Sequence, residues 1–482
     1  MVAASLKAQV LAAVKWTVLG RLATQLGSWV ITILVMRHLV PDDYGLIAMA
    51  AMFSGLFAVV AEVGMGSSVI QSKDVTARQM RQVFAVVLLS NLGIFVVLAA
   101  VVAPLAAWFF DEPRLTSVIR IVALAFVPAA FAVLPNALLD REMAFRGRAA
   151  IDFVAQLSGA ILTLVLAYAG YGAWSLAWGP VLGALLRTAG LNWLKPYWVP
   201  PLFDLTGSGH LLRFGGNVAA NRLVYYLYSQ ADSLIVGKLL GSHLLGLYSV
   251  AMNLASMPAS RIATTLDQVA FPALSKVKRD GGDAKRYILM TVSGISIIAF
   301  PVLWGMSSVA PEIVNVLLGE KWQAATTSLA LLALIMPLRI LGPIFHAGLQ
   351  SVGHADVSFR NTCTTAIAMC IAFVIGCRFG LLGVALAWVS VFPSAFVVNM
   401  MRSARYLNLT LGDILGALSR PALAAVLMYG AVVLGRKFIL LPQQPLLFVL
   451  VTVGGATYAL ASLVLNKHGL TAALRILRPQ PN

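Results

Sequence analysis

"RHLVPDDYGLIAMA" (Arg37–Ala50) and "KLLGSHLLGLYSVA" (Lys238–Ala251) are two versions of one stretch, and they decide how the chain is organised. Each copy begins upstream of the quoted residues, the first at Arg21 and the second at Arg222, in an apolar segment that carries this arginine. A short turn with a basic residue and a glycine follows, and then a second apolar segment. An offset of 201 residues pairs Arg21 with Arg222, Arg37 with Lys238, Leu39 with Leu240, Gly45 with Gly246, Leu46 with Leu247 and Ala50 with Ala251. The match predicts an internal duplication, with one copy at the start of each half of the chain.

The composition is that of a membrane protein. Of the 482 residues, 60% are apolar and 11% are charged, whereas soluble domains carry about 25% charged residues. Apolar runs long enough to cross a bilayer as helices recur along the whole chain. We therefore predict an all-α polytopic membrane protein with about 14 transmembrane helices. The predicted spans are 12–36, 45–70, 82–107, 116–138, 149–169, 172–193, 214–239, 244–270, 287–309, 324–349, 359–378, 380–401, 414–434 and 444–466.

The spans group into two six-helix lobes and a C-terminal helix pair. A stretch rich in Pro and Gly, "KPYWVPPLFDLTGSGH" (Lys195–His210), separates the first six spans from the next six. Six helices return the chain to its starting side, so the two lobes are expected to be related by an axis along the membrane normal. The predicted domains are 1–200 (the N-lobe, spans 1–6), 201–408 (the C-lobe, spans 7–12) and 409–482 (spans 13 and 14 with a cytoplasmic tail).

The net charge of +17 is explained by topology. Lys and Arg are concentrated in the loops on the side of the N-terminus, and cytoplasmic loops carry this excess. Both termini are therefore predicted to be cytoplasmic, which agrees with an even number of spans. No basic segment is long enough to form a soluble module, so nucleic acid is not expected as a partner.

Four arginines at predicted membrane depth, Arg21, Arg222, Arg261 and Arg339, are the leading candidates for a substrate site. Ionisable groups at that depth are costly and are functional candidates by default. Guanidinium groups bind phosphate oxygens bidentately and stay charged when partly desolvated. Converging on a cavity, they would suit a lipid diphosphate. The structural alternative is that each arginine reaches the interface or pairs with a carboxylate.

Span 7 is the most polar of the set and adds candidates for the same site. Asn221, Tyr225 and Tyr228 fall on one helical face with Asp232, and amide and phenol groups suit sugar hydroxyls and ring faces. Asp232 and Glu62 are candidates for coupling to an ion or a proton. The alternatives are that Asp232 neutralises an arginine, that Glu62 forms a salt bridge with Arg21, and that span 7 is simply a polar helix packed inside a bundle.

No enzyme motif, metal-ligand spacing or nucleotide-binding loop occurs in the sequence. Cys363, Cys370 and Cys377 lie seven residues apart in one apolar segment and are interpreted as small packing residues. We therefore expect no cofactor, no metal and no enzymatic activity. Without an ATP site, energy would come from an H+ or Na+ gradient, from the membrane potential or from the substrate gradient.

The chain resembles the polysaccharide transport (Wzx-type flippase) family of the multidrug/oligosaccharidyl-lipid/polysaccharide flippase superfamily, and within it the colanic-acid-exporter kind. The residues that carry the resemblance are "KWTVLGRLATQLGSWVITILVMRHLVPDDYGLIAMA", "AEVGMGSSVIQ", "DREMAFRGRAAIDFVAQLSG", "YGAWSLAWG" and "QADSLIVGKLLGSHLLGLYSVAMNLASMP". The resemblance implies two six-helix lobes around a V-shaped cavity. It also implies that an undecaprenyl-diphosphate-linked oligosaccharide moves from the cytoplasmic to the periplasmic leaflet of a bacterial inner membrane by alternating access, and that cavity arginines such as Arg21 and Arg222 hold the diphosphate.

Two alternatives stay open at this point. An ion-coupled multidrug antiporter of the same superfamily would need an acidic, aromatic cavity for cations. A membrane enzyme of polysaccharide synthesis, such as a polymerase, would usually carry a large periplasmic loop. The expected partners are the lipid-linked oligosaccharide and membrane lipids. We expect a monomer, with the polysaccharide polymerase machinery as a candidate partner.

Overall fold

A computed structural model describes residues 27, 29–61, 76–142, 145–204, 223, 226–279 and 284–465. These residues are almost entirely helical and include no β-strand. Among them, eleven helices are long and apolar enough to cross a membrane. The fold is therefore the all-α polytopic one that the sequence predicts. The chain divides into two compact units, Met1–Gly246 and Leu247–Asn482.

The helices of the first unit begin with a short apolar segment. The third helix contains a π-helical turn at Leu98–Val102. They are α1 (Trp29–His38), α2 (Pro41–Ala61), α3 (Ala77–Phe110), α4 (Arg114–Ala123), α5 (Phe126–Arg141), α6 (Phe145–Tyr168), α7 (Ala173–Leu194) and the beginning of α8 (Ala231–Arg279).

The second unit contains the remainder of α8 and the rest of the described helices. Between two of these, a π-helical turn (Val314–Leu318) and a 3₁₀ segment (Glu320–Ala325) turn the chain. The helices are α9 (Ala284–Ser308), α10 (Ala310–Ile313), α11 (Thr326–Ser351), α12 (Ala355–Cys377), α13 (Gly380–Leu407), α14 (Leu411–Phe438) and α15 (Gln443–Leu465).

Local sequence signals determine where these helices begin. At α3 and α14, Thr76 and Thr410 form capping boxes with Gln79 and Asp413, so that otherwise unpaired backbone N–H groups are satisfied. At α2, Pro41 is followed by two aspartates in the first turn, where negative charge stabilises the helix dipole. The second copy of the repeated stretch begins differently, because Gly241 interrupts α8 with φ 80°. Only glycine adopts that backbone readily, so the predicted boundary between spans 7 and 8 is confirmed at this residue.

The last two helices pack into the second unit. Phe300 of α9 lies against Ala425 and Met428 of α14. The hydroxyl of Tyr458 on α15 donates to the carbonyl oxygen of Ile297 on α9 at 2.8 Å. α14 and α15 are thus held by both apolar and polar contacts. The predicted lobe boundaries, at about residues 200 and 408, stay a prediction.

Candidate substrate site

Most of the predicted site lies outside the described residues. This holds for Arg21, Glu62, Asn221, Arg222 and Tyr225. The predicted approach of Arg21 to Arg222 across a cavity therefore stays a prediction. Four predicted site residues are described: Tyr228, Asp232, Arg261 and Arg339.

Arg339 is the described arginine that best fits the prediction. It lies near the middle of α11, about 20 Å of helix rise from Thr326, and its side chain is half-buried. Its guanidinium lies over the ring of Trp388, 4.4 Å from the centroid. Its Nη1 donates to the Sδ atoms of Met252 at 3.2 Å and Met336 at 3.8 Å. Among the described residues no carboxylate pairs with it, so its charge is not neutralised by those neighbours.

A second layer of contacts fixes the indole of Trp388. Its Nε1 donates to the hydroxyl of Tyr248 at 2.8 Å, and both side chains are buried. The ring also packs against Phe373 and Phe392, with centroids 5.3 and 5.6 Å away. Because packing and a buried hydrogen bond hold the indole, it presents a fixed face to Arg339.

The other described candidates are arranged differently. Asp232 is buried at the start of α8, where its carboxylate accepts hydrogen bonds from the backbone N–H and the hydroxyl of Ser233. Tyr228 is half-buried and Arg261 is exposed. Arg261 lies on α8 nine residues after Met252, about 14 Å along the helix. It therefore does not share the contacts of Arg339, and the described part of the chain does not bring the two guanidiniums together.

A site that the sequence reasoning missed lies where the two copies of the repeated stretch touch, within the first unit. A Cβ on Gly45 would overlap the carbonyl oxygen of Ser242, and a Cβ on Gly246 would overlap that of Pro41. The offset of 201 carries Pro41 to Ser242 and Gly45 to Gly246. The same contact is thus made twice, as on the two sides of a two-fold interface.

Polar groups surround this contact, and we call Asp42, Glu112, Arg114, Ser242 and His243 the repeat-contact cluster. Nδ1 of His243 lies 2.8 Å from Oδ2 of Asp42, and these two residues are also related by the offset of 201. The hydroxyl of Ser242 donates to Asp42 and Glu112. Two hydrogen bonds from Arg114 hold the carboxylate of Glu112 and lower its pKa. The offset of 201 relates Asp42 to His243, but it does not show that the two copies touch, so it was not enough to locate this cluster.

Arg187 is another residue that sequence reasoning missed. It lies inside α7, where its Nε donates to Asp152 at 2.7 Å and its Nη2 to Asn136 at 3.0 Å. Arg148 lies 3.7 Å from the same carboxylate. Asp152 thus links two arginines of the first unit.

Comparison with known proteins identifies the family. Residues 34–327 match the family described as "Polysaccharide biosynthesis protein". The chain belongs to this family. Among its relatives is the lipopolysaccharide biosynthesis protein WzxC of Escherichia coli (strain K12), 26% identical over 398 residues and covering 80% of this chain and 79% of that protein. The succinoglycan biosynthesis transport protein ExoT of Rhizobium meliloti (strain 1021) is 26% identical over 425 residues, covering 86% and 84% of the two chains.

Solved structures share the fold of this polysaccharide biosynthesis protein. The lipid II flippase MurJ in an inward closed conformation superposes with a TM-score of 0.75, at 14% identity, covering 93% of this chain and 98% of that one. An inward-facing multidrug resistance MATE transporter gives a TM-score of 0.59 at 16% identity, covering 80% and 96%. At these identities the likeness concerns the fold alone. The protein is a multi-pass membrane protein of a transporter fold.

Proposed function

We propose that the protein moves undecaprenyl-diphosphate-linked oligosaccharide repeat units from the cytoplasmic to the periplasmic leaflet of a bacterial inner membrane, for exopolysaccharide biosynthesis. The cycle is one of alternating access, in which the diphosphate and sugar enter a polar site from the cytoplasm while the polyprenyl chain stays in lipid. Membership of the polysaccharide biosynthesis family and relatives such as ExoT, whose name describes a transport protein, support this assignment.

The surroundings of Arg339 are the structural observation that supports an anionic substrate. A cation near the middle of a membrane-spanning helix is expensive unless it has a partner, and the described residues offer it sulfur atoms and an indole face but no carboxylate. A bound anion would supply the missing negative charge. A diphosphate is an anion of the right kind, because guanidinium groups bind phosphate oxygens with paired hydrogen bonds.

The rest of the predicted site belongs to the same proposal. Arg21, Arg222 and Arg261 are further contacts for the diphosphate, and Asn221, Tyr225 and Tyr228 for the sugar. Glu62 and Asp232 are the candidates for coupling to an H+ or Na+ gradient. Both termini face the cytoplasm. The protein acts as a monomer, and it is not an enzyme. It works beside the polymerase machinery that uses the translocated repeat units.

The multidrug alternative is less well supported. An unneutralised guanidinium repels the cationic compounds that such an antiporter would carry, and the likeness to a MATE transporter concerns the fold alone.

Export in cells tests the proposal. In a host that lacks this gene and keeps the rest of its polysaccharide machinery, the wild-type gene should restore polymer at the cell surface. Arg339→Gln should reduce export more than tenfold, because a charge-assisted hydrogen bond contributes about 1.5–3 kcal/mol, and lipid-linked repeat units should accumulate inside. Joint replacement of Arg21 and Arg222 by Gln should stop export.

Arg378→Gln is the matched control, because Arg378 is exposed just beyond the end of α12. It should export like the wild type. Normal export by both Arg339→Gln and the Arg21/Arg222 double variant would overturn the assignment.

A further inference from the structure

Three arginines of this chain bind oxygen pairs through the same edge of the guanidinium. Arg114 and Arg436 each place Nε and Nη2 on the two carboxylate oxygens of a glutamate, Glu112 and Glu312 respectively. Arg187 uses the same two atoms for oxygens of Asp152 and Asn136. The Nε–Nη2 edge is thus the fork with which arginine grips two oxygens at once.

Arg339 is arranged in the opposite way. Its hydrogen bonds among the described residues both come from Nη1, to the sulfur atoms of Met252 and Met336. One face of the guanidinium is covered by Trp388. The Nε–Nη2 fork therefore has no partner among the described residues, whereas Nη1 and one face of the group are in contact with neighbours.

Trp388 is the residue best placed to keep the fork in position. A long arginine side chain has several rotatable bonds, and stacking on a fixed ring restricts them. The indole is itself fixed, because Trp388 is 5% exposed and Tyr248, which accepts its N–H hydrogen bond, is 0% exposed. The thioethers are weak acceptors that occupy Nη1 without neutralising it.

We propose that Trp388, held by Tyr248, is a positioning residue that presents the Nε–Nη2 fork of Arg339 to two oxygens of the substrate's diphosphate. The inference rests on the proposed function, because it describes how Arg339 contacts the diphosphate of the proposed substrate. Arg339 makes the contact, and Trp388 acts through Arg339 without touching the substrate.

Binding of farnesyl diphosphate to the purified protein in detergent, measured by calorimetry, tests the inference. Arg339→Lys keeps the charge and loses the fork. Trp388→Leu removes the stacking and Trp388→Phe weakens it. Tyr248→Phe removes the acceptor of the indole N–H. We expect a loss of about tenfold in affinity for Trp388→Leu, with smaller losses for Trp388→Phe and Tyr248→Phe. Trp304→Phe is the control, because the Trp304 indole donates to the carbonyl oxygen of Leu334 and does not stack on Arg339.

The decisive measurement is the double variant Arg339→Lys/Trp388→Leu. If Trp388 acts through the fork, the double variant binds no more weakly than Arg339→Lys alone, whereas a general structural role would give additive losses. Additive losses would overturn the inference. Wild-type affinity in both Trp388→Phe and Tyr248→Phe would also overturn it, and this second test is available even where Trp388→Leu does not fold. Absence of binding by the wild type would overturn the proposed function instead.

Discussion

At the scale of single residues, the neighbours of each arginine separate structural from functional roles. Arg114 and Arg436 are held by glutamates, and Arg187 by an aspartate and an amide. Arg339 alone among these four has no carboxylate within the described residues. A sequence shows that an arginine interrupts an apolar run, and it therefore predicted Arg339 as a candidate. Arg187 interrupts the predicted span 172–193 in the same way and was missed, although the signal was there. The sequence does not show the partner of either arginine, so the surroundings of Arg187 and Arg339 could not be predicted.

The buried pair of Glu312 and Arg436 yields a prediction at this scale. Glu312 is 6% exposed at its side chain, and Arg436 bonds both of its oxygens and the carbonyl oxygen of Ser308. Glu312→Gln should destabilise the protein by about 3 kcal/mol, because a half-buried guanidinium would lose its counter-charge. Thermal unfolding of the purified protein measures the effect. Lys437→Gln, the exposed neighbouring cation, should leave the unfolding temperature unchanged, and equal stability of both variants would contradict the prediction.

At the scale of helices, the sequence predicted well where membrane-spanning helices occur, because an apolar run of bilayer length forms few structures other than a transmembrane helix. The predicted spans 287–309, 324–349 and 380–401 coincide with the described helices α9, α11 and α13, and extend beyond them by at most two residues. Interruptions were harder to predict. The π-helical turn at Leu98–Val102 and the break between α4 and α5 lie just before Pro104 and Pro128, whose rings clash with the carbonyl groups four residues earlier. A proline does not specify, however, whether the helix forms a π turn or is interrupted.

The contact between α2 and the beginning of α8 depends on two glycines, and it can be tested at the level of these elements. Gly45→Ala should destabilise the protein by about 1–3 kcal/mol, since the added methyl would overlap the carbonyl oxygen of Ser242 and the backbone would have to shift. Gly246→Ala should have a similar effect through Pro41. Thermal unfolding and the yield of folded protein report the change.

Gly93→Ala is the matched control for these variants. Gly93 also lies inside a helix, α3, but a Cβ there would meet nothing within 4 Å. It should be neutral or slightly stabilising, because Ala favours a helix by about 1 kcal/mol over Gly. If Gly45→Ala and Gly93→Ala behaved alike, the close approach would not matter for stability.

At the scale of the whole molecule, the duplication relates both the sequences of the two repeated stretches and the contacts between them. The offset of 201 that relates the two sequence copies also relates the contacts between them, from Gly45 and Gly246 to Asp42 and His243. The sequence could predict the repeat from matched residues. It could not predict that the copies touch, because that contact depends on the fold of the intervening helices.

If the protein works by alternating access, a crosslink within the repeat-contact cluster should block the transport cycle. Asp42 and His243 lie within hydrogen-bonding distance, and we expect them to separate once in each cycle. In a variant without Cys363, Cys370 and Cys377, cysteines at positions 42 and 243 joined by a short bis-methanethiosulfonate reagent should block export, and a reducing agent should restore it.

The control pair lies at Glu142 and Lys195, which form a salt bridge of 2.5 Å within the predicted N-lobe. These two residues are expected to move together, so the same crosslink there should leave export intact. Export that persists with positions 42 and 243 fully crosslinked would show that this contact stays closed throughout transport. The two copies of the repeated stretch would then act as a permanent pivot, and the opening would have to lie elsewhere in the molecule.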